Sequence, residues 1–285
     1  MYKQRNLRFE FTAKPGVLDS QGSTSLVIEN CKANVKASFA GMMATTMADV
    51  TIYGLGADLI AAISAKGVSY FTNAEINIGM NIIADDSLVF SGFIYAAYAD
   101  MNQQPDIGLV ISAMAGLDMM RATAKPFSLK GEALYTEIIN SICKANGYSY
   151  LPVNVSGSQV NAHYEGSPLE QIRNLCLNAR LNLLVNGNQV TVWPMGGGQS
   201  DVVVKVSPDH GLIGYPVYSP AGLTIQTEFS TLITQGAIVD LTTSLPNTSG
   251  KYYVQTAEHY LSSWVKNGVW YTVANITPYN KAVKE

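Results

Sequence analysis

The C-terminal stretch from Leu223 to Tyr279 most constrains the fold of this chain. Apolar and polar residues alternate along it in short runs, β-branched and aromatic residues are frequent, and Pro, Asn and Gly separate the runs. Alternation with a period of two, bounded by turn residues, is the pattern of half-buried β-strands. The stretch therefore predicts consecutive antiparallel strands, and no group of catalytic residue types interrupts it.

Strand patterns also fill most of the first hundred residues. Leu88 to Tyr98 predicts a long strand with Gly92 as a candidate bulge, and Asp85-Asp86 predicts the turn that leads into it. Leu55 to Lys66 is the exception, because its apolar residues recur at helical spacing. This part of the chain is therefore predicted to be β-rich with one helix.

The pattern changes to alternating helices and strands between Phe127 and Pro194. Glu132 to Ala145 carries a helical stripe of apolar residues. Ser167 to Glu170 combines an N-cap serine, a proline at the first helical position and a capping-box glutamate. Asn186-Gly187 between two apolar runs predicts a β-hairpin. We expect a small α/β module inserted into a β-domain, with the glycine-rich stretch 195–200 as a flexible linker leaving it.

The composition favours a protein that buries surface against partners. Charged residues make up 14% of the 285-residue chain, below the ~25% that is usual for soluble domains. The net charge is −3, so no electrostatic argument supports binding to nucleic acid through a basic face. A β-rich domain with a neutral polar surface is the alternative explanation of the same composition.

Membrane-spanning, secretory and disulfide-bonded classes have no support in the sequence. No stretch approaches the ~20 apolar residues of a membrane-spanning helix. The N-terminal residues are charged and then strand-like, unlike a secretory signal, so we expect synthesis in a cytoplasm. The three cysteines, Cys31, Cys143 and Cys176, are expected to be reduced and buried.

No catalytic, cofactor or metal site is predicted. The histidines lie in different segments, without the converging partners that metal binding or general-base catalysis requires. They are His163, His210 and His259. Asp85-Asp86 is predicted as a turn and Glu170 as a helix cap, so neither supports the carboxylate pair of a glycosidase. Gly196 to Gly198 leads into a strand rather than a helix, unlike a phosphate-binding loop. We therefore expect a protein that is not an enzyme.

Aromatic residues of the C-terminal strands are candidates for a protein interface, where aromatic residues with a polar group are enriched. They are Tyr252, Tyr253, Tyr260, Trp264 and Trp270. Because Tyr252 and Tyr253 are adjacent in one predicted strand, they must point to opposite faces. At least one of the two is therefore expected to face outward, toward a second layer of the fold or toward a partner.

Short motifs follow one another in a recognisable order along nearly the whole chain. The main ones are Gly214-Tyr215-Pro216, Gly222-Leu223 through Phe229, Gly236, and Tyr253-Val254-Gln255 to His259. Earlier ones are Val50 to Leu55, Phe90 to Ile94, Phe127 to Gly131, Tyr164 to Pro168 and Val192 to Gly197. Together, in order and spacing, they resemble the baseplate hub proteins of contractile-tailed bacteriophages.

The resemblance implies a fold. Hubs of this family resemble a doubled tail-tube protein, so it implies an α+β, mainly β chain with two tail-tube-like antiparallel β-barrel domains and a small α/β insertion module. The expected boundaries are residues 1–104 for the first barrel, 105–126 with 200–285 for the second, and 127–199 for the inserted module.

The resemblance also implies a role. As a hub, the chain would form a homotrimer whose ring joins the tail tube protein above to the spike protein below, with baseplate wedge proteins as further neighbours. It would be located in the virion, meet DNA only in transit, and need no membrane and no cofactor. A β-rich adhesin or carbohydrate-binding module is the alternative, based on the aromatic residues.

A ring that passes DNA is expected to have a polar but not strongly basic inner wall, because clustered cations would hold the phosphates. Alternating strands place their polar residues on one face. The candidate lumen-facing residues are Glu75, Asn77, Thr224, Gln226 and Glu228. Outward exposure to solvent would produce the same pattern.

Overall fold

A computed structural model of the protein describes residues 5–13, 18, 22–40, 44–67, 78–102, 106–220 and 222–279. In these ranges the fold is mainly β, with twenty strands and four α-helices. No helix in the described ranges is both long and apolar enough to cross a membrane. The chain divides into two compact units. Unit 1 comprises Met1–Ser38, Thr46–Leu117 and Glu258–Tyr271, and unit 2 comprises Phe39–Thr45, Asp118–Ala257 and Thr272–Glu285.

Most of unit 1 is an antiparallel sheet accompanied by one helix. Its elements are β1 (Leu7–Ala13), β2 (Ser25–Ile28), β3 (Ala33–Phe39, of which Phe39 belongs to unit 2), β4 (Met47–Tyr53), α1 (Ala57–Gly67), β5 (Ile78–Ala84), β6 (Ser87–Asp100) and β7 (Gly108–Met114). The strands lie in the order β3-β4-β7-β6-β5-β1-β2. Phe9, Ile52, Phe90 and Ile111 are fully buried in its core. The predicted β-rich segment with one helix is confirmed.

Gly92 is not the bulge that the sequence predicted in β6. It pairs in register with Met80 of β5, whereas the extra residues of β6 are Val89 and Tyr95. A Cβ atom on Gly92 would lie 2.7 Å from the carbonyl oxygen of Met114 in β7. Glycine is needed here because a neighbouring backbone approaches closely. Close approach of a backbone is, besides a bulge, a common reason for glycine in a strand.

The N-terminal part of unit 2 is an α/β region that follows α2 (Leu117–Arg121). Its elements are β8 (Phe127–Ser128), β9 (Glu132–Leu134), α3 (Tyr135–Ala145), β10 (Ser149–Pro152), β11 (Ser158–Val160), β12 (His163–Tyr164), α4 (Pro168–Asn178), β13 (Leu181–Asn186) and β14 (Gln189–Pro194). The two predicted helices are present. Ser167 caps α4 as predicted, since its hydroxyl accepts the backbone N–H of Glu170 at 3.4 Å.

The two predicted turns are also present. Asp85 and Asp86 join β5 to β6 with φ values of 45° and 68°. The hairpin of β13 and β14 turns at Gly187 and Asn188, one residue later than the Asn-Gly dipeptide indicated. Gly187 has a φ of 55°, which glycine adopts without a steric penalty.

The C-terminal part of unit 2 contains the strand-rich stretch on which the fold prediction rests. Its strands are β15 (Val203–Val206), β16 (Val217–Ser219), β17 (Gly222–Glu228), β18 (Ile238–Leu241), β19 (Gly250–Ser263) and β20 (Trp270–Pro278). Residues 258–263 of β19 and 270–271 of β20 belong to unit 1. The order is β16-β17-β20-β19, and β18 pairs with β19 and, in parallel, with β15. These strands are therefore not the simple antiparallel series that the sequence predicted. The prediction failed here because alternation identifies strands but not their partners.

The two units differ in part from the boundaries expected from the sequence. β7 lies between β4 and β6 in unit 1, whereas the sequence predicts residues 105–126 in the second β-domain. Residues 258–271 also belong to unit 1, whereas the α/β region 127–199 is part of unit 2. Pairing between strands that are far apart in the sequence decides to which unit each of these segments belongs. Two barrels with an inserted module stay a proposal.

Candidate functional site

A row of polar side chains crosses three adjacent strands of unit 1 on its accessible face. Glu10 of β1, Asn81 of β5 and Ser91 of β6 lie opposite one another. The Asn81 amide donates to Glu10 Oε2 at 3.3 Å, and the Ser91 hydroxyl donates to Asn81 Oδ1 at 2.7 Å. Arg8 pairs with Glu10 at 2.9 Å. The row forms because residues two apart in a strand share a face, while Phe9 between them is buried.

A second polar row crosses the other strands of unit 1. Ser112 of β7, Asp49 of β4 and Lys36 of β3 are opposite one another in the sheet register. The Ser112 hydroxyl donates to Asp49 Oδ1 at 2.6 Å, and Lys36 Nζ lies 3.0 Å from Glu258 Oε1 of β19. Charge therefore alternates in sign along the row, and each carboxylate has a donor beside it.

Several contacts hold the Lys36–Glu258 end of this row. The Tyr260 hydroxyl donates to Glu258 Oε2 at 2.6 Å, and the Lys36 ammonium lies 5.5 Å from the centre of the Tyr260 ring. The hydrogen bond to Glu258 raises the pKa of Lys36. Burial favours the neutral form of Glu258, but hydrogen bonds from Tyr260 and Lys36 outweigh it and lower the pKa of that carboxyl. Both groups are therefore charged near neutral pH.

Unit 2 carries a comparable polar row. The Thr224 hydroxyl of β17 donates to Asn275 Oδ1 of β20 at 2.7 Å, and the Asn275 amide donates to Thr256 Oγ1 of β19 at 2.8 Å. Gln226 and Glu228 follow Thr224 on the accessible side of β17, where the residues between them are buried. The sequence predicts Thr224, Gln226 and Glu228 on one polar face of a strand, and the three residues do share that face.

The polar rows of the two units carry no excess of positive charge. Their cations are Arg8 and Lys36, and their anions are Glu10, Asp49, Glu258 and Glu228. Two further candidates for a lumen, Glu75 and Asn77, lie outside the described residues. The sequence did not single out Asn275, Thr256 or the residues of the rows in unit 1, because only the sheet register brings them together.

The aromatic pair Tyr252 and Tyr253 points to opposite faces of β19, as predicted. Tyr252 is buried, and its hydroxyl donates to the carbonyl oxygen of Thr248 at 2.7 Å. Tyr253 is half-buried on the accessible face. Tyr252 therefore contributes to the core of unit 2, and Tyr253 is the outward member of the pair.

The other candidate aromatic residues belong to unit 1 and differ in exposure. Tyr260 packs against Tyr271 with ring centroids 5.2 Å apart. Trp270 is half-buried, with the Arg5 guanidinium 5.0 Å from its ring centre. Trp264 is 53% exposed and has a φ of 56°, which is unusual for a bulky residue. Trp264 is thus the most exposed of the five.

The three histidines occupy unrelated surroundings. His163 Nε2 lies 3.1 Å from Glu165 Oε1 at the surface, and His210 Nδ1 lies 2.8 Å from the Ser207 hydroxyl. His259 is fully buried, and burial lowers its pKa to about 4, so its ring is neutral at physiological pH. Among the residues that the structure describes, no three His, Cys, Asp or Glu side chains are grouped so that they could hold a metal ion.

Sequence reasoning missed an exposed apolar edge in unit 2. β16 stands at one end of the strand order, and the side chains of Tyr215, Val217 and Tyr218 are 69%, 64% and 67% exposed. A strand of three residues is too short to produce a readable periodicity, so no sequence signal separated it from a loop. Edge strands with exposed apolar residues are typical of surfaces that pair with another chain.

Comparison with solved structures defines the class to which the fold belongs. The chain is similar to the 43 kDa tail protein of prophage MuSo2 from Shewanella oneidensis, with a TM-score of 0.63 and 8% identity over 97% of both chains. It is equally similar to a tail protein from Neisseria meningitidis, with a TM-score of 0.63 and 8% identity over 95% of this chain and 96% of that one.

A third similar structure comes from a secretion apparatus. It is an Escherichia coli component of the type VI secretion system, described as structurally similar to the T4 bacteriophage tail proteins gp27 and gp5. The TM-score is 0.62 with 8% identity, over 88% of this chain and 74% of that one. No family model and no curated sequence matches the chain. The chain thus has the fold of bacteriophage tail proteins, and the predicted mainly β class is confirmed.

Proposed function

We propose that the protein is the hub of a contractile-tail baseplate, a ring of three chains that joins the tail tube to the spike. The observation that carries the proposal is the likeness to a prophage tail protein over 97% of both chains. A likeness of that extent includes both units, so the whole chain fits a tail component. The protein would then be made in the host bacterium and located in the tail baseplate of the virion.

A trimer of a chain with two β-rich units offers a symmetry match. Three chains contain six such units, so their ring can follow the six-fold symmetry of a tail tube and the three-fold symmetry of a spike. The tube protein is the proposed neighbour above, the spike protein the neighbour below, and wedge proteins the neighbours around the ring. This role is geometric and requires no catalytic group or cofactor.

The polar rows of the two units are the proposed lining of the ring. Their side chains are hydrogen-bonded to one another, which leaves a wall with fixed polar groups and with charges of both signs. DNA in transit would meet no cationic cluster that could retain its phosphates. Thr224, Gln226 and Glu228 belong to this lining, and Glu75 and Asn77 are proposed to extend it.

The exposed aromatic residues are proposed to contact neighbouring chains. Trp264 is the strongest candidate, because it is 53% exposed. Tyr253, Tyr260 and Trp270 are half-buried and would contribute the edges of such contacts.

Native mass spectrometry at micromolar concentration tests the ring. We expect a species of three times the 30.7 kDa chain mass. Trp264→Asn should weaken this trimeric species, because it removes the exposed indole side chain. Asparagine adopts the left-handed backbone conformation of this position more readily than most residues do. Tyr98→Ser is the matched control, since Tyr98 is 57% exposed and belongs to none of the proposed contacts. A purely monomeric protein, together with particles in which it forms no ring, would refute the hub.

A structure of the assembled ring tests the lining separately. The expected result is that Glu10, Asp49 and Thr224 border the lumen. A lumen bordered mainly by Lys and Arg, or closed by apolar side chains, would remove the conduit while leaving the hub in place.

A further inference from the structure

One end of the strand order in each unit is an edge strand, which has a partner on one side only. In unit 1 this strand is β2, which pairs with β1, and in unit 2 it is β16, which pairs with β17. Among the residues that the structure describes, no strand lies on the outer side of either one. Alternate residues of such a strand direct their backbone N–H and C=O groups away from the sheet, where another chain can pair with them.

Each of these two edge strands continues a polar row and ends it with an exposed valine. Val27 of β2 lies opposite Glu10, the outermost residue of the first polar row of unit 1. Val217 of β16 lies opposite Thr224, the outermost residue of the polar row of unit 2. Residues that lie opposite each other in paired strands share a face of the sheet. Val27 and Val217 are 54% and 64% exposed, so both rows are polar within the sheet and apolar at its edge.

No charged side chain protects β2 or β16 against pairing with another chain. Charged residues on an edge strand oppose such pairing, and neither of these two strands contains one. The edge strand β15, which pairs only with β18, differs because it carries Lys205. Pro216 and Pro220 bound β16, so a pairing there is short and depends largely on contacts between side chains.

The exposed side chains at β16 form an apolar patch that is large enough for part of an interface. Tyr215, Val217 and Tyr218 are each more than half exposed. Covered aromatic side chains bury 150–250 Å² each, so the three expose on the order of 400 Å². A standard interface buries about 800 Å² on each partner. One such contact is therefore weak by itself, whereas a closed ring of three chains is held by three of them.

We propose, on the basis of the proposed ring of three chains, that β16 of one chain pairs with β2 of the next. A contact of β2 with β2, or of β16 with β16, has two-fold symmetry and cannot build a three-membered ring. Pairing of the unlike edges repeats around the ring and leaves neither edge open. Val27 and Val217 then cover each other as cross-strand neighbours, and the polar rows of adjoining chains follow one another across the join.

Cross-linking between two singly substituted chains tests the pairing on the full protein. Val27→Cys and Val217→Cys are made in a Cys31→Ser background, produced together with different tags and treated with a short thiol-to-thiol cross-linker. We expect a product of twice the 30.7 kDa chain mass that carries both tags, because one thiol comes from each edge. Val202→Cys in place of Val217→Cys is the matched control. Val202 is a 56% exposed valine beside the charged edge strand β15, so it should give no such product.

Native mass spectrometry of Val217→Lys gives a second readout, because a charge on the edge strand opposes pairing. We expect the three-chain species to need at least tenfold higher protein concentration, whereas Val202→Lys should leave it unchanged. A three-chain species without the double-tagged product, or one that Val217→Lys leaves intact, would overturn the edge pairing and leave the hub in place. The double-tagged product in an assembly of another size would support the pairing and refute the ring of three. Monomers without that product would overturn both.

Discussion

Gly92 lies within the 14-residue strand β6, where the neighbouring backbone leaves no room for a side chain. A Cβ atom there would be 2.7 Å from both the Met114 carbonyl oxygen and a ring carbon of Phe90. Gly79, on the adjacent strand β5, is different, since its added Cβ atom would lie 3.7 Å from the nearest atom, the Thr12 carbonyl oxygen. Two glycines in neighbouring strands therefore have different roles, and only one of them is required by packing.

Substitution of the two glycines should separate these roles. Gly92→Ala is expected to lower the free energy of unfolding by about 1–3 kcal/mol, because backbone must shift to admit the methyl group. Gly79→Ala is expected to change it by less than about 0.5 kcal/mol or to raise it, since the methyl group makes an ordinary contact. Urea denaturation of both variants measures the difference. Equal values for the two would contradict the close approach at Gly92.

At the scale of elements, local signals explain most of the helices and turns. Ser167 and Glu170 cap α4 reciprocally, with the Ser167 N–H donating to Glu170 Oε2 at 2.8 Å. The turn at Asp85 and Asp86 has two successive residues with positive φ, the geometry of a type I′ hairpin. Asp85 also contacts Arg5, with an Oδ2 to Nη1 distance of 3.5 Å, whereas Asp86 is exposed. Asp86 therefore carries backbone strain that a glycine would relieve.

Asp86→Gly is expected to stabilise the protein by about 0.5–1 kcal/mol, because glycine adopts a φ of this sign without a steric penalty and favours the I′ turn. Asp86→Ala is the control, and it should destabilise, since alanine pays the full penalty of the left-handed region. Thermal unfolding followed by circular dichroism compares the three proteins. A lower midpoint for Asp86→Gly than for the unaltered chain would show that the Asp86 side chain matters more than the turn geometry.

At the scale of the whole molecule, the α/β region and the C-terminal strands share unit 2. Trp193 of β14 is 1% exposed and packs against Gly236, and a Cβ atom on Gly198 would lie 2.7 Å from the Ile238 side chain. These contacts connect the proposed insertion to the strands that follow it. Residues 127–199 are thus joined to the C-terminal strands by side-chain packing at Trp193 and Gly198 as well as by the covalent chain.

A deletion that joins Pro126 to Ser200 tests whether residues 127–199 are an insertion. We expect the β-strands to remain folded and to unfold cooperatively at a lower temperature, because the surface that packs against Trp193 becomes exposed. Trp193→Ala in the full chain is the control for that contact alone, with an expected cost of about 3–5 kcal/mol. Loss of all cooperative unfolding in the deletion, but not in Trp193→Ala, would show that the region is integral to unit 2.

What the sequence determined by itself is the set of local elements. Alternation marked the strand β17 and the accessible side that carries Thr224, Gln226 and Glu228, and capping residues marked the start of α4. These features are local, because a period of two or a capping box depends on residues only a few positions apart.

What only the tertiary structure decided is which elements meet. It placed β7 between β4 and β6, paired β18 with β15 in parallel, and set β20 beside β17, so that Asn275 completes the row begun by Thr224. It also brought Gly236 beside Trp193. The physical reason is that strand pairing and side-chain packing depend on contacts between residues far apart in the chain. Hydrophobic periodicity reports that a face is buried, but not which other element buries it.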